Sequence, residues 1–254
     1  MSNSPAHLAP AISTDHPVAY FCAEFGFDPN LPIYAGGLGI LAGDTIKQAA
    51  DEAYPFVGVT LLYRGYSMRQ GVDKHGDQYE EDWHFDPLSQ GLEHVYVDDM
   101  PLFIKVHLTQ VDVWLRCWKK TFANGITLYF LDSETDQNQL SERSITQVLY
   151  SGTHEQQLKQ QLVLGIGGIK LLTALGIQPA VYHLNEGRPA FLHWQLIRQL
   201  MDIHVIDYHS ARQLAIQKTV YTNHTLVAAG NQAYSMDLLR VLAGYYAEKM
   251  KIRS

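Results

Sequence analysis

The stretch Val18-Ala19-Tyr20-Phe21-Cys22-Ala23 is apolar without interruption, and no other feature of the chain constrains its fold as much. A run this short, with no polar alternation, suits a strand buried on both faces. Turn residues follow at Gly26, Asp28, Pro29, Asn30 and Pro32. Next come Gly36-Gly37-Leu38-Gly39 and a segment of helical composition from Leu41 to Ala53. Pro55 to Tyr63, rich in Val and Leu, supplies a second apolar strand. Strand, glycine-rich turn, helix and strand, in that order, predict an α/β domain with a largely parallel sheet.

The texture changes between Tyr66 and Leu131. Short strand-like runs at His94–Val97, Leu102–Leu108, Val111–Trp118 and Ile126–Leu131 are separated by Gly, Asp, Asn and Pro. They predict a hairpin-rich, strand-rich insertion or a continuation of the sheet. Residues 132–147 are polar and predict a loop with a short helix. The clearest helix runs from Leu158 to Leu175, with Leu158, Leu162, Ile166, Ile169 and Leu172 on one face and Leu164, Leu171 and Leu175 on another. Gly165, Gly167 and Gly168 each cost helix propensity, so close approach to a neighbouring element is expected there. Gly176 is placed to stop the helix. Ala180 to His183 reads as a strand, Asn185-Glu186-Gly187 as a turn, Pro189 to Met201 as a helix with Pro189 in its first turn, and Thr219 to Thr222 as a further strand. Residues 1–16 read as a flexible leader and 17–254 as one domain.

Composition narrows the function classes. The 254 residues are 46% hydrophobic and 18% charged, enough for a sizeable core. The net charge of -7, with no basic run longer than Lys119-Lys120, argues against a nucleic-acid partner. Cys22 and Cys117 each lie in an apolar segment outside any CxxC pair, which predicts buried free thiols in a reducing compartment. No basic region followed by an apolar one opens the chain, and no apolar run approaches the ~20 residues of a membrane helix. The expected location is the cytoplasm, with no membrane contact.

Ligands of open α/β sheets bind beyond the carboxyl ends of the strands. Four segments fall there: Ala23-Glu24-Phe25-Gly26, the Gly36–Gly39 loop, His183-Leu184-Asn185-Glu186-Gly187, and Thr222-Asn223-His224-Thr225. The glycine loop is either a plain tight turn or an anion site, where glycines admit the ligand and the following helix offers free N–H groups. It is neither a GxGxxG nor a P-loop. Glu24 follows a buried strand, so its charge is either paired structurally or used in function. His183 and Glu186 have HxxE spacing, but on a strand end and turn without a third ligand, so no metal site is expected. Asn185 and Glu186 are better suited to sugar hydroxyls. His224 is either a capped core histidine or, given its polar neighbours, part of the site.

Five stretches carry a resemblance when taken together and in order. They are AYFCAEFGFDPNLPIYAGGLGILAGDTIKQAADEAYPFVGVTLLYRGYSMRQ, GDQYEEDW, LKQQLVLGIGGIKLLTALGIQP, HLNEGRPAFL and VYTNHTLVAAGN, and they span Ala19 to Asn231. The chain resembles the N-terminal half of the α-glucan phosphorylases of the short bacterial type. The resemblance implies a glycosyltransferase-B architecture, of which this Rossmann-like domain is the first of two. It implies phosphorolysis of α-1,4-glucan by inorganic phosphate, releasing glucose 1-phosphate. Pyridoxal phosphate is the family cofactor, held as a Schiff base by a lysine of the second domain, and no lysine here matches that motif. By the resemblance Glu24, Gly36, Gly37, Leu38, Gly39, Asn185, Glu186 and His224 bind substrate or phosphate, and Arg188 stands in the same motif.

Three positions depart from the family pattern. Arg188 stands where His is usual, Gln161 stands where Glu is usual, and Asn223 to Gly230 replaces THTPVPAG. The resemblance implies that the chain alone is inactive, whether as one half of a split gene completed by a separately encoded C-terminal half, as a truncated reading frame, or as a domain with its own role. A non-catalytic domain binding glucan or a partner protein is the alternative. So is a nucleotide-sugar glucosyltransferase of the glycogen or starch synthase type, although Tyr34 stands where those enzymes carry Lys.

Overall fold

The computed structural model describes residues 10–65, 69–81, 85–150, 152–227 and 232–251. Residues 1–9 of the expected leader, and residues 66–68, 82–83 and 228–231 of the quoted stretches, lie outside this set. Ser13 and His16 close a hydrogen-bonded turn, and His16 Nδ1 lies 2.9 Å from Gln178 O.

The chain starts with β1 (Val18–Phe21), α1 (Gly37–Asp51) and β2 (Phe56–Leu61). The ribbon β3 (Arg69–Val72) with β4 (Gln78–Glu81) follows, then β5 (Glu93–His94) and the ribbon β6 (Tyr96–Val97) with β7 (Met100–Pro101). The hairpin β8 (Phe103–Leu108) and β9 (Val111–Thr121) leads into β10 (Thr127–Asp132). After α2 (Leu140–Arg143) come α3 (His154–Ala174), β11 (Val181–Asn185), α4 (Leu192–His204), α5 (Tyr208–Gln217), β12 (Thr219–Thr222) and α6 (Met236–Lys249).

Among the described residues the main sheet has eight strands. Five run parallel in the order β12, β11, β1, β2, β10. Strand β9 joins β10 antiparallel, and its far edge takes β8 and β5. The fold is thus mixed α/β with a mostly parallel sheet, as the sequence predicts. All six residues of β2 are buried, which requires cover on both faces. Successive strand residues face opposite ways. A Cβ on Gly58 would meet Ile46 of α1, whereas Val59 packs against Gly168 of α3, so the two helices cover opposite faces.

The α3 glycines permit the expected close approaches. A Cβ on Gly165 would stand 2.4 Å from Leu192 N, on Gly167 2.9 Å from Leu115 Cδ1, and on Gly168 2.3 Å from Phe21 Cε1. Gly176, with φ +71, ends the helix. The helix starts four residues before Leu158, because Thr153 caps it by accepting the Gln156 N–H. Cys22 and Cys117 are buried free thiols.

Three expectations need correction. The run His94–Val97 is not one strand. Val95 donates to Cys117 O and accepts from Leu102 N, so the chain changes partners there. Helix α4 starts at Leu192, not Pro189, because i+3 hydrogen bonds from Ala190 to Gly187 O and from Leu192 to Pro189 O hold a tighter turn first. Helices α5 and α6 were not expected. The buried face of α5 is only Ala211 and Ala215, too small to show as periodicity.

Candidate functional site

Strand β1 lies beside β11, yet the chain leaves them in opposite directions. From β1 it crosses through α1 to β2, and from β11 through α4 and α5 to β12. A crevice opens beyond the strand ends where such crossovers diverge. Here that position holds a cleft of about 540 Å³, whose lining includes Glu24, Gly36, Gly37, Tyr150, Glu186 and Arg188.

Glu24 lies just beyond β1, where burial continues through Phe25, and is 2% exposed. Oε2 accepts the N–H groups of Ala35 at 2.7 Å and Gly36 at 3.2 Å. Oε1 accepts the Tyr150 hydroxyl. An unpaired carboxylate here would cost several kcal/mol (~3–5). Its compensation comes from backbone and phenol donors, and among the described residues it has no ion pair. Burial, and then the Glu24 carboxylate, raise the Tyr150 hydroxyl far above its ordinary pKa, so it remains a donor.

The helix after the glycine turn begins at Gly37 rather than Leu41, with Gly36 as its N-cap. The glycines divide into two kinds. A Cβ on Gly39 would stand 2.4 Å from Tyr34 Cβ and 2.8 Å from Glu24 Oε2, and one on Gly43 2.3 Å from Gly26 O. These two clamp α1 onto the segment after β1, and Gly26 N donates to Gly39 O at 2.7 Å. Close packing thus allows the helix to start early. Apart from adjacent backbone, no atom of the described residues lies within 4 Å of a Cβ on Gly36 or Gly37, and both line the cleft. The N–H groups of Gly37 and Leu38, in the first turn, have no acceptor within the helix. Leu38 is half-buried against the core and also lines the cleft.

The opposite wall comes from the ends of β11 and β12. Glu186 adopts φ +65, in the left-handed region, while its N–H donates to Thr222 O at 2.9 Å. Such a conformation costs about 1–3 kcal/mol for a side-chain-bearing residue. Glu186 Oε1 accepts the His224 N–H at 2.6 Å and the Thr225 hydroxyl at 3.1 Å. His224 Nε2 donates to Asn185 Oδ1 at 2.9 Å. Asn185 is 1% exposed and lies behind the cleft surface, as does Gly39. His183 turns away to Thr222 Oγ1 at 2.8 Å and packs edge-on to Tyr20, so the HxxE pair does not converge. Burial, and then His224, hold His183 below the usual histidine pKa. Among the described residues no three His, Cys, Asp or Glu side chains gather as a metal site.

The guanidinium of Arg188 lies 4.8 Å from the Tyr150 ring centre and has no ion-pair partner among the described residues. Gln161 Nε2 donates to Gln232 Oε1 at 2.9 Å and to Tyr234 Oη at 2.6 Å, and Gln161 and Gln232 also line the cleft. Thr225 belongs to a segment the sequence placed at the strand ends, whereas Tyr150 and Gln232 were not expected from the sequence. Tyr150 lies in an irregular segment with φ +59, which no periodicity announces.

Fold and cleft together define an α/β domain with an open cleft at the carboxyl ends of parallel strands, beside a glycine-rich helix start. No family model matches the chain. It is 38% identical over 87% of its length to the maltodextrin phosphorylase of Thermococcus litoralis, covering 26% of that protein. It is 35% identical over 88% of its length to the glycogen phosphorylase of Mycobacterium tuberculosis, again covering 26%. The glycogen phosphorylase of Aquifex aeolicus is 28% identical over 88% of the chain. Across this shared stretch the chain is similar to α-glucan phosphorylases. It spans about a quarter of the length of the first two relatives.

Proposed function

We propose that residues 17–254 form the first domain of a cytoplasmic glycosyltransferase-B α-1,4-glucan phosphorylase, and that the cleft beyond β1 and β11 receives phosphate and the glucan end. One observation carries the reading. Two glycines with no atom near their Cβ positions start a helix whose first N–H groups have no intrahelical acceptor, across the cleft from an arginine without an acidic partner among the described residues. That combination suits a phosphate group, by hydrogen bonds and by charge. Glu24 then acts as the anchor of the glycine turn, and Glu186 and Asn185 shape the wall that meets sugar hydroxyls through His224 and Thr225.

The family resemblance implies pyridoxal phosphate. The glycine turn and Arg188 fit a phosphate such as the cofactor carries, but among the described residues no lysine lines the cleft to bind its aldehyde. This favours a chain that is inactive alone and gains activity from a lysine-bearing domain. The phosphorylase relatives favour this reading over a synthase.

The test combines the chain with maltodextrin and inorganic phosphate, with and without the cofactor-binding part of a homologous phosphorylase, and measures glucose 1-phosphate. Product only in the combined sample is expected. Failure of inorganic phosphate to shift the Gly36 and Gly37 amide resonances of the chain would remove the anion site.

A further inference from the structure

Tyr150 touches both walls of the cleft. Its hydroxyl donates to Glu24 Oε1, while Glu24 Oε2 holds the N–H groups of Ala35 and Gly36. Its ring carries the Arg188 guanidinium at 4.8 Å. The segment before it is fixed independently. Gln160 Nε2, on α3, donates to Ile145 O and Val148 O, each at 2.9 Å, and Gly65 N donates to Gln147 O at 2.7 Å. Tyr150 therefore projects from a pinned backbone, in a left-handed conformation that a side-chain-bearing residue adopts only when its surroundings hold it.

We propose that Tyr150 is a positioning residue that fixes the glycine turn and the Arg188 guanidinium relative to each other across the cleft. The proposal deepens the anion-site reading above and rests on it for its functional meaning. Glu24 lines the same cleft as Arg188, and Tyr150 contacts both. A long, flexible arginine would fold onto a free carboxylate oxygen. The phenol hydroxyl occupies Glu24 Oε1, the backbone of residues 35 and 36 occupies Oε2, and the His224–Thr225 segment occupies Glu186 Oε1. The ring gives the planar guanidinium a surface to stack on. Arg188 is thereby kept off Glu24 and left to meet an anion from outside.

The test uses the isotopically labelled chain and two substitutions. Tyr150→Phe keeps the ring beneath Arg188 and removes the hydroxyl. Tyr150→Leu removes both. Hydrogen exchange at the Ala35 and Gly36 amides, and the Arg188 Nε–H resonance, report on the two walls without any ligand. Tyr150→Phe should speed exchange at both amides about tenfold, the factor expected for losing one hydrogen bond to a charged group, with amides of the central strands unchanged. Inorganic phosphate should bind severalfold more weakly. Tyr150→Leu should, in addition, shift the Arg188 Nε–H signal. Unchanged exchange at Ala35 and Gly36 in folded Tyr150→Phe overturns the proposal, as does an unmoved Arg188 signal in Tyr150→Leu. Faster exchange in a chain whose parent binds no phosphate supports the positioning role and overturns the anion reading instead.

Discussion

Two carboxylates, one closing a buried parallel strand and one just past another, end in opposite circumstances. Asp132 closes β10 at the border with the antiparallel flank and is 0% exposed. It accepts Arg64 Nε at 3.1 Å, Trp118 Nε1 at 3.0 Å and Glu134 N at 2.9 Å. Large side chains crowd it, with the His94 ring stacked on Trp118 at 3.9 Å. Glu24 is nearly as buried, but its donors are a glycine turn and one phenol, and beyond that turn lies open space. Buried charge alone therefore does not mark a site. An ion pair that fills its own surroundings is architecture. A carboxylate whose donors are mostly backbone, next to glycines facing a cleft, leaves room for a ligand.

The sharpest way to break this contrast is Asp132→Ala. It strands Arg64 beside Trp118 and should destabilise the fold by about 3 kcal/mol, the low end for a broken buried pair because Arg64 keeps 23% of its surface. Chemical denaturation measures it. Gly165→Ala comes next. Its methyl meets the backbone of α4, which cannot yield as a side-chain tip can, and roughly 2–3 kcal/mol should be lost. Gly39→Ala and Gly37→Ala then sharpen the comparison within one turn. The first pushes on Tyr34 and Glu24 and should cost about 1–2 kcal/mol. The second meets nothing and should stay within about 0.5 kcal/mol, while weakening phosphate binding. Equal stability losses for the pair would erase the distinction between clamp and cleft glycines.

The smallest expected effect is on pH dependence. His183 and His94 both have lowered pKa values in the fold, from burial first and then from neighbouring His224 or Arg116. The unfolded chain therefore binds more protons just below the ordinary histidine pKa of about 6.5. The stability these two contribute is present above that pH and lost as pH falls through their folded values. His183→Gln should flatten the fall in melting temperature on the acid side.

Much of this was legible in the sequence because it follows from burial. The apolar runs at 18–23 and 55–63 became β1 and β2, and the three α3 glycines pack where close approach was expected. Glycine content alone could not separate Gly36 and Gly37 from Gly39, since that depends on what stands opposite each one. Tyr150 was hidden for a similar reason. Its partners, Glu24 and Arg188, are 126 and 38 residues away in the chain, and no local pattern encodes so distant a meeting. The α5 and α6 helices were missed although Asp207 and Ser235 cap them by accepting Ser210 and Leu238 N–H groups. Those capping residues were readable signals.

The two cysteines give each region its own clock. Cys22 lies at the end of β1 beside the cleft floor, and Cys117 in β9 on the antiparallel flank; burial pushes the Cys22 thiol up to about 12 and raises Cys117 as well. Neither can be alkylated until its surroundings open, because only the exposed thiolate reacts. Labelling rates at the two sites, read separately by mass spectrometry, then time the opening of the parallel sheet beside the cleft and of its flank in a single experiment. Equal rates would mean that the sheet comes apart as one cooperative unit, and a faster Cys117 that the flank peels away first.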